Sequence, residues 1–519
     1  MKKLLLSTAA SLFYLGFATA QTATQLIEIN NVKALITNTG PLFFDGNQAV
    51  FNIPKTGNKS TVFSASPWIG GMHNGELYMM AETYRQSGKD MQEGPVTDVY
   101  SPSHMAYWDR IWKVSKSNIQ TFRDLVAQSQ VPDTTIYKDI YTWPARGNVF
   151  GGDTTREYAP FVDVDSDGLY DALAGDYPKI KGDQCLYTIM NDDTVHTEST
   201  GKTMRLEIHR TVYAYNQIGP LNNTLFVDYK VINKSSINYD SLLFSSFVDF
   251  DLGKYDDDFV GTDTARNMIY AYNGDPNDDA PSGYGTNPPA QGCVLLNHKL
   301  LSSMYYNNHS GSISGNPVAA KDYYNFMQGK WKDGSDKYAA DSGFGATAPV
   351  TPFSFGGDPC TGSGWWEGGA GSTPGDRRIL GTIDLVKLAP EQSLDVTLAF
   401  VYARAATGGQ IASLCALKGA VDTVITWYKN GGTTMSVFEN AKQTLSFSMY
   451  PNPAKNIVSI EGLKAKTASV GVYDITGKQL KSLSIQHSGN INISDLSAGI
   501  YFVKVTSADG TATKRLVIE

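Results

Sequence analysis

The segment Asp163-Val164-Asp165-Ser166-Asp167-Gly168-Leu169-Tyr170-Asp171 sets carboxylates at alternate positions around a glycine. A turn at Gly168 lets those carboxylates converge, and a calcium ion takes about six to eight oxygens at one centre. Without a cation, aspartates this close repel and raise one another's pKa. The spacing predicts Asp163, Asp165, Asp167 and Asp171 as ligands, with the Leu169 carbonyl and Asp176 or a water completing the shell. Ala174 stands where an EF-hand loop carries its bidentate Glu, so the loop is not of that type. The same residues without an ion make a solvated acidic turn.

A second cluster, Asp249-Phe250-Asp251-Leu252-Gly253 with Asp256-Asp257-Asp258 and Asp263, follows the apolar run from Leu242 to Val248. Asp249 and Asp251 share one face of a strand, so both can reach one ion. A second calcium and a polar loop both fit, with Asp249 and Asp251 better placed than the run from Asp256 to Asp258. Paired carboxylates also hydrolyse glycosides, but only as an acid and a base held across a sugar-binding cleft. Runs of Asp suit a metal better than a general acid. The Gly-x-Ser-x-Gly, His-Glu-x-x-His and Gly-x-x-x-x-Gly-Lys patterns are all missing. His196, Glu198 and His209 can be drawn into a zinc site, a cheap coincidence among seven histidines. The first acidic loop resembles the calcium loops of thrombospondin type 3 and dockerin-like repeats, here in a single copy.

The elements that must carry these loops read as strands. Leu206, Ile208 and Val212 alternate with Glu207, His209 and Thr211. Leu225, Val227, Tyr229 and Val231 form one face of Thr224 to Asn233. Leu394, Val396, Leu398, Phe400 and Tyr402 do the same between Ser393 and Arg404. Long period-2 strands without interleaved helices imply antiparallel sheets. The chain is therefore predicted to be mainly β: a large antiparallel β-sandwich-like body with long loops and a few helices. One helix should begin at Ser115 or Ser117 and carry Ile119, Phe122 and Leu125 inward, with Trp108, Trp112 and Trp143 packing about it. A second should run from about Ile411 to Lys429 with Leu414, Leu417, Val421, Ile425 and Tyr428 on one face, ending at Asn430-Gly431-Gly432. Residues 273–375, rich in Gly, Ser, Asn, Pro and Tyr, read as long loops laid over the sheet.

The chain opens with Lys2 and Lys3, an apolar run from Leu4 to Phe17 and Ala18-Thr19-Ala20, the pattern of a cleaved signal peptide over residues 1–20. No later apolar run is long enough to span a bilayer. Net charge is −8 over 519 residues, with the acid concentrated before Ser446 and the last stretch net basic. An acidic body argues against nucleic acid and suits cations. Export makes disulfides among Cys185, Cys293, Cys360 and Cys415 feasible in three connectivities, and buried thiols are the other reading.

After a linker at 433–445, residues 446–519 form a compact β-domain. Short strands divided by turn signals make a small sandwich of immunoglobulin-like size. Tyr450-Pro451-Asn452-Pro453, then Tyr473 and Asp474 of Val472-Tyr473-Asp474-Ile475-Thr476-Gly477-Lys478, then Leu496, Gly499 and Tyr501, then a basic last strand follow in order. Together they resemble the type A C-terminal sorting domain of the type IX secretion system of Bacteroidota. That resemblance implies export by signal peptide and translocon, removal of the tail by a sortase-like peptidase, and release of the body or its attachment to surface lipopolysaccharide. Segments 175–184 and 257–263 also resemble recurring parts of uncharacterised proteins that carry such tails, which brings no activity with it. For residues 21–432 the expectation is a calcium-stabilised adhesion, binding or structural module. A secreted hydrolase of polysaccharide or protein is the alternative, and a subunit of a surface assembly a third.

Overall fold

The computed structural model describes residues 23–84, 88–148, 155–345, 347–432, 447–463, 467–474, 478–507 and 510–519. The signal segment and the linker lie outside these residues. The chain divides into two compact units, Met1–Lys429 and Asn430–Glu519.

Among the described residues, two large antiparallel sheets form the main layers of the body, beside a three-stranded sheet and two two-stranded ones. In the larger, the order is Asp258–Asp263, Met268–Asn273, Ala290–Leu295, Ser393–Ala403, Thr224–Asn233, Leu206–Ala214, Gln184–Asn191 and Gln92–Glu93, and Trp112–Ser115 also pairs with Gln184–Asn191. In the smaller, Leu300–Asn307, Arg377–Ile383, Tyr239–Asp249, Ser64–His73 and Glu76–Ala81 lie in that order, with Val386–Leu388 also paired to Tyr239–Asp249. The main core lies between the two large sheets, where Leu225, Val227, Tyr229, Val231 and Leu394, Val396, Leu398, Phe400 meet Ile69, Phe244, Val248 and Ile379. Period-2 alternation put these side chains on one face, and the facing sheet buries them.

The larger sheet is covered on its other face as well. Phe226, Ala399 and Val401 pack against Leu414, Leu417, Val421, Val424 and Trp427 of the helix Gly409–Lys429. Gly431 and Gly432 leave that helix at positive φ, as the Asn-Gly-Gly signal demands. Elsewhere Ser115 Oγ accepts from Asn118 N at 3.1 Å to cap the helix Lys116–Ala127, and Trp108, Trp112 and Trp143 are buried beside Ile119 and Phe122. The alternation breaks at Arg210, which shares the inner face with Ile208 and Val212. Its guanidinium donates to the carbonyls of Thr37 and Gly40 and is wholly buried.

The loops between 308 and 376 are anchored rather than loose. Trp331 stacks on Phe344 at 4.3 Å, Phe355 lies 4.7 Å from Trp365, and the buried Lys337 Nζ donates to Ser303 O at 2.6 Å and Ser354 Oγ at 2.9 Å. Cys360 is disulfide-bonded to Cys415, tying this loop region to the Gly409–Lys429 helix. Cys185 and Cys293 are buried free thiols, each pushed up to about 12 by desolvation. Both readings of the cysteines thus apply, each to one pair.

The C-terminal unit is a sandwich of two antiparallel sheets. Ser448–Tyr450, Ile457–Glu461 and Gly489–Asn492 make one; Gln479–Ile485, Ala468–Tyr473, Gly499–Ser507 and Gly510–Ile518 make the other. Val458, Ile460, Val470, Val472, Val503 and Leu516 fill the space between them.

Candidate metal centres and the C-terminal tail

In the first acidic loop, the Asp carboxylates fold the backbone as well as converging. Asp163 accepts from Ser166 N at 2.7 Å and Gly168 N at 2.9 Å, and the buried Asp176 from Val164 N at 2.8 Å and Asp171 N at 2.9 Å. Gly168 takes the positive φ of +80° that this turn requires. Oxygens of Asp163, Asp165 and Asp176 lie within 4.8 Å of one another. Partial desolvation, and then the charges of Asp167, Asp176 and Asp163, raise the Asp165 carboxyl above its ordinary value.

Asp167 and Asp171 stand outside that set. Asp167 Oδ1 accepts from Leu169 N at 2.7 Å, and Asp171 Oδ1 accepts from Leu173 N at 2.9 Å. Short Asp side chains readily bond a nearby backbone N–H, a use that Asp163 and Asp176 share. Leu169 lies on the same turn with its side chain exposed.

At the second cluster, oxygens of Asp249, Asp251 and Asp376 lie within 4.8 Å of one another. Asp376 was absent from the expected set. Pairing of Tyr239–Asp249 with Arg377–Ile383 puts Asp249 opposite Arg378, and Asp376 immediately precedes that strand. Arg378 contacts Asp249 Oδ2 at 3.2 Å and Asp376 Oδ1 at 2.8 Å, and its Nε donates to Tyr84 Oη at 2.8 Å. Tyr84 in turn donates to Asp249 Oδ2 at 2.8 Å. Asp249 is 1% exposed, and its Oδ1 has no hydrogen-bond partner. Burial pushes the Asp249 and Asp251 carboxyls upward, with Arg378 opposing. The run at 256–258 has other work: Asp256 pairs with Lys254 at 3.2 Å, and Asp258 accepts from Leu252 N at 2.9 Å.

His196, Glu198 and His209 do not form a zinc set. His196 faces Asp90 and Asp192, Glu198 holds Thr83, and His209 Nε2 lies 3.0 Å from Glu207.

In the tail, Asn452 is a two-handed clamp on the last strand. Its Nδ2 donates to Arg515 O at 2.8 Å, and its Oδ1 accepts from Val517 N at 2.8 Å. Ala454 N donates to Val517 O at 2.8 Å, so the segment holding Tyr450, Pro451, Asn452 and Pro453 is anchored along the Gly510–Ile518 strand. Asp474 Oδ1 accepts from Lys478 N at 3.0 Å to close the turn between two strands, although Gly477 itself lies outside the described residues. Tyr501 donates to Ser497 O at 2.8 Å across the bend that contains Gly499, and Leu496 packs against the core.

Residues 448–519 match the family model for a secretion system C-terminal sorting domain. No curated protein matches the chain. Among solved structures, one described as a polysaccharide lyase is 8% identical with a TM-score of 0.19, the match covering 60% of this chain and 34% of that one. A likeness at that level carries no argument. No helix among the described residues is long and apolar enough to cross a membrane. The tail is a type IX secretion C-terminal sorting domain, and the protein that carries it is secreted or displayed at the cell surface.

Proposed function

We propose that the body is a calcium-stabilised binding or structural module, carried outward by the tail and completed by calcium outside the cell. The translocon and a sortase-like peptidase would read the tail, leaving the body released or held on surface lipopolysaccharide. The observation that carries the calcium reading is the charge at the buried cluster. Asp249, Asp251 and Asp376 bring three negative charges to one place, and Arg378 supplies one positive charge. The remaining two match a divalent cation, and the unpartnered Asp249 Oδ1 is a hard oxygen ligand. Asp163, Asp165 and Asp176 offer a second, more exposed set.

Calcium binds the folded state and not the unfolded one, so extracellular calcium raises stability by mass action, about 2.7 kcal/mol at a hundredfold excess over Kd. Thermal unfolding of the full chain in calcium and in EGTA tests this. A lower melting temperature in EGTA, restored by added calcium, is expected; superimposable curves would refute the proposal.

A further inference from the structure

We infer that the cavity walled by Tyr84, Tyr306 and Tyr323 binds an organic ammonium group, with Glu198 as its counter-ion. The inference goes beyond the calcium reading and does not depend on it. The cavity has a volume of about 440 Å³ and is also lined by Glu198, Thr83 and Asn316. Glu198 is 5% exposed. Its Oε1 accepts from Thr83 N at 2.7 Å and Thr83 Oγ1 at 2.6 Å, and its Oε2 has no hydrogen-bond partner.

A buried carboxylate oxygen without a partner is costly, and among the described residues His196 and Arg378 are committed elsewhere. His196 lies between Asp90 and Asp192, and Arg378 is held by Asp249 and Asp376. The charges of Glu82 and Asp90 act on Glu198 with like sign, which disfavours an anion beside it. Tyrosine rings add an electron-rich wall suited to ammonium. Those rings are held in place by the core: Tyr323 meets Trp68 at 4.9 Å, and Tyr306 stacks on Phe326 at 5.2 Å. Such a site is formed in advance and pays little to order itself on binding.

Calorimetry on the full chain with n-butylammonium, and with n-butanol as its neutral counterpart, tests the inference. At pH 8.5 the ammonium should bind and the alcohol should not, and Glu198→Gln should weaken binding at least tenfold. A second readout needs no variant. Burial, then the charges of Glu82 and Asp90, push the Glu198 carboxyl up to about 8 against the hydrogen bonds from Thr83. A cation must displace that proton, so wild-type affinity should fall about tenfold for each pH unit below 8. No heat with butylammonium, equal binding of butanol, an unaffected Glu198→Gln variant, or an affinity flat from pH 6.5 to 8.5 would each overturn it.

Discussion

Tyr84 donates to Asp249 Oδ2 at 2.8 Å and accepts from Arg378 Nε at 2.8 Å, which joins a cavity wall to an acidic cluster through one hydroxyl. Tyr84→Phe keeps the ring and removes both bonds. It should cost at least about 1–3 kcal/mol, the range for stranding a buried hydrogen-bonding group, read from urea unfolding in excess calcium.

The two acidic sets should respond unequally to calcium. Asp251→Asn removes a charge from the cluster that is paired with a buried arginine, whereas Asp165→Ala alters an exposed turn. We expect Asp251→Asn to abolish most of the calcium-dependent rise in melting temperature and Asp165→Ala to remove the smaller part. The reverse order, from the same melting curves, would place the main ion in the 163–176 loop.

His196 predicts a loss of stability in alkali. Its Nδ1 lies 2.8 Å from Met79 O and its Nε2 2.9 Å from Asp192 O, so both nitrogens carry protons toward acceptors. Burial opposes the charged ring, but the hydrogen bond and charge of Asp192, with Asp90, prevail and raise its pKa to about 9. A folded pKa above the unfolded value of about 6.5 gives stability that is complete below pH 6.5 and lost as pH rises through 9. The loss should be on the order of 2–3 kcal/mol between pH 6.5 and 9.5, and His196→Gln should flatten the profile.

The Cys360–Cys415 bond closes a segment with a sequence separation of 55. The chain-entropy account assigns such a loop about 4 kcal/mol. Cys360→Ser should therefore lower the unfolding free energy of the body by a few kcal/mol, as measured in denaturant.

Export should depend on the clamp in the tail. Asn452→Ala breaks both bonds to the last strand and should leave more protein in the periplasm than the wild type, assayed by cell fractionation. Deleting residues 446–519 should retain a folded body there entirely. Normal export of that truncation would remove the tail's assigned role.

Much of the fold was legible because burial follows period. Leu225, Val227, Tyr229 and Val231 alternate with side chains that meet a helix or the surface, and the sandwich buries them as expected. Arg210 was not legible, because its acceptors are the carbonyls of Thr37 and Gly40, far away in sequence. The acidic sites were half legible. Local spacing brought out Asp163, Asp165, Asp249 and Asp251, but it could not tell carboxylates whose oxygens converge from those turned elsewhere, as Asp167 and Asp171 are. Asp376 and Tyr84 reach Asp249 only through sheet register and loop packing. No periodicity encodes those contacts.

Lys337 makes the loops over the sheet chemically readable. Its amino group is shut between Ser303 of the sheet and the loop at 352–354, 1% exposed and held by Ser303, Pro352 and Ser354. An acylating reagent modifies exposed lysines freely but reaches this one only when the covering segment lifts. Its labelling rate is thus a built-in clock for that opening, and one mass-resolved peptide reports how often the covering swings away while the sandwich below stays closed.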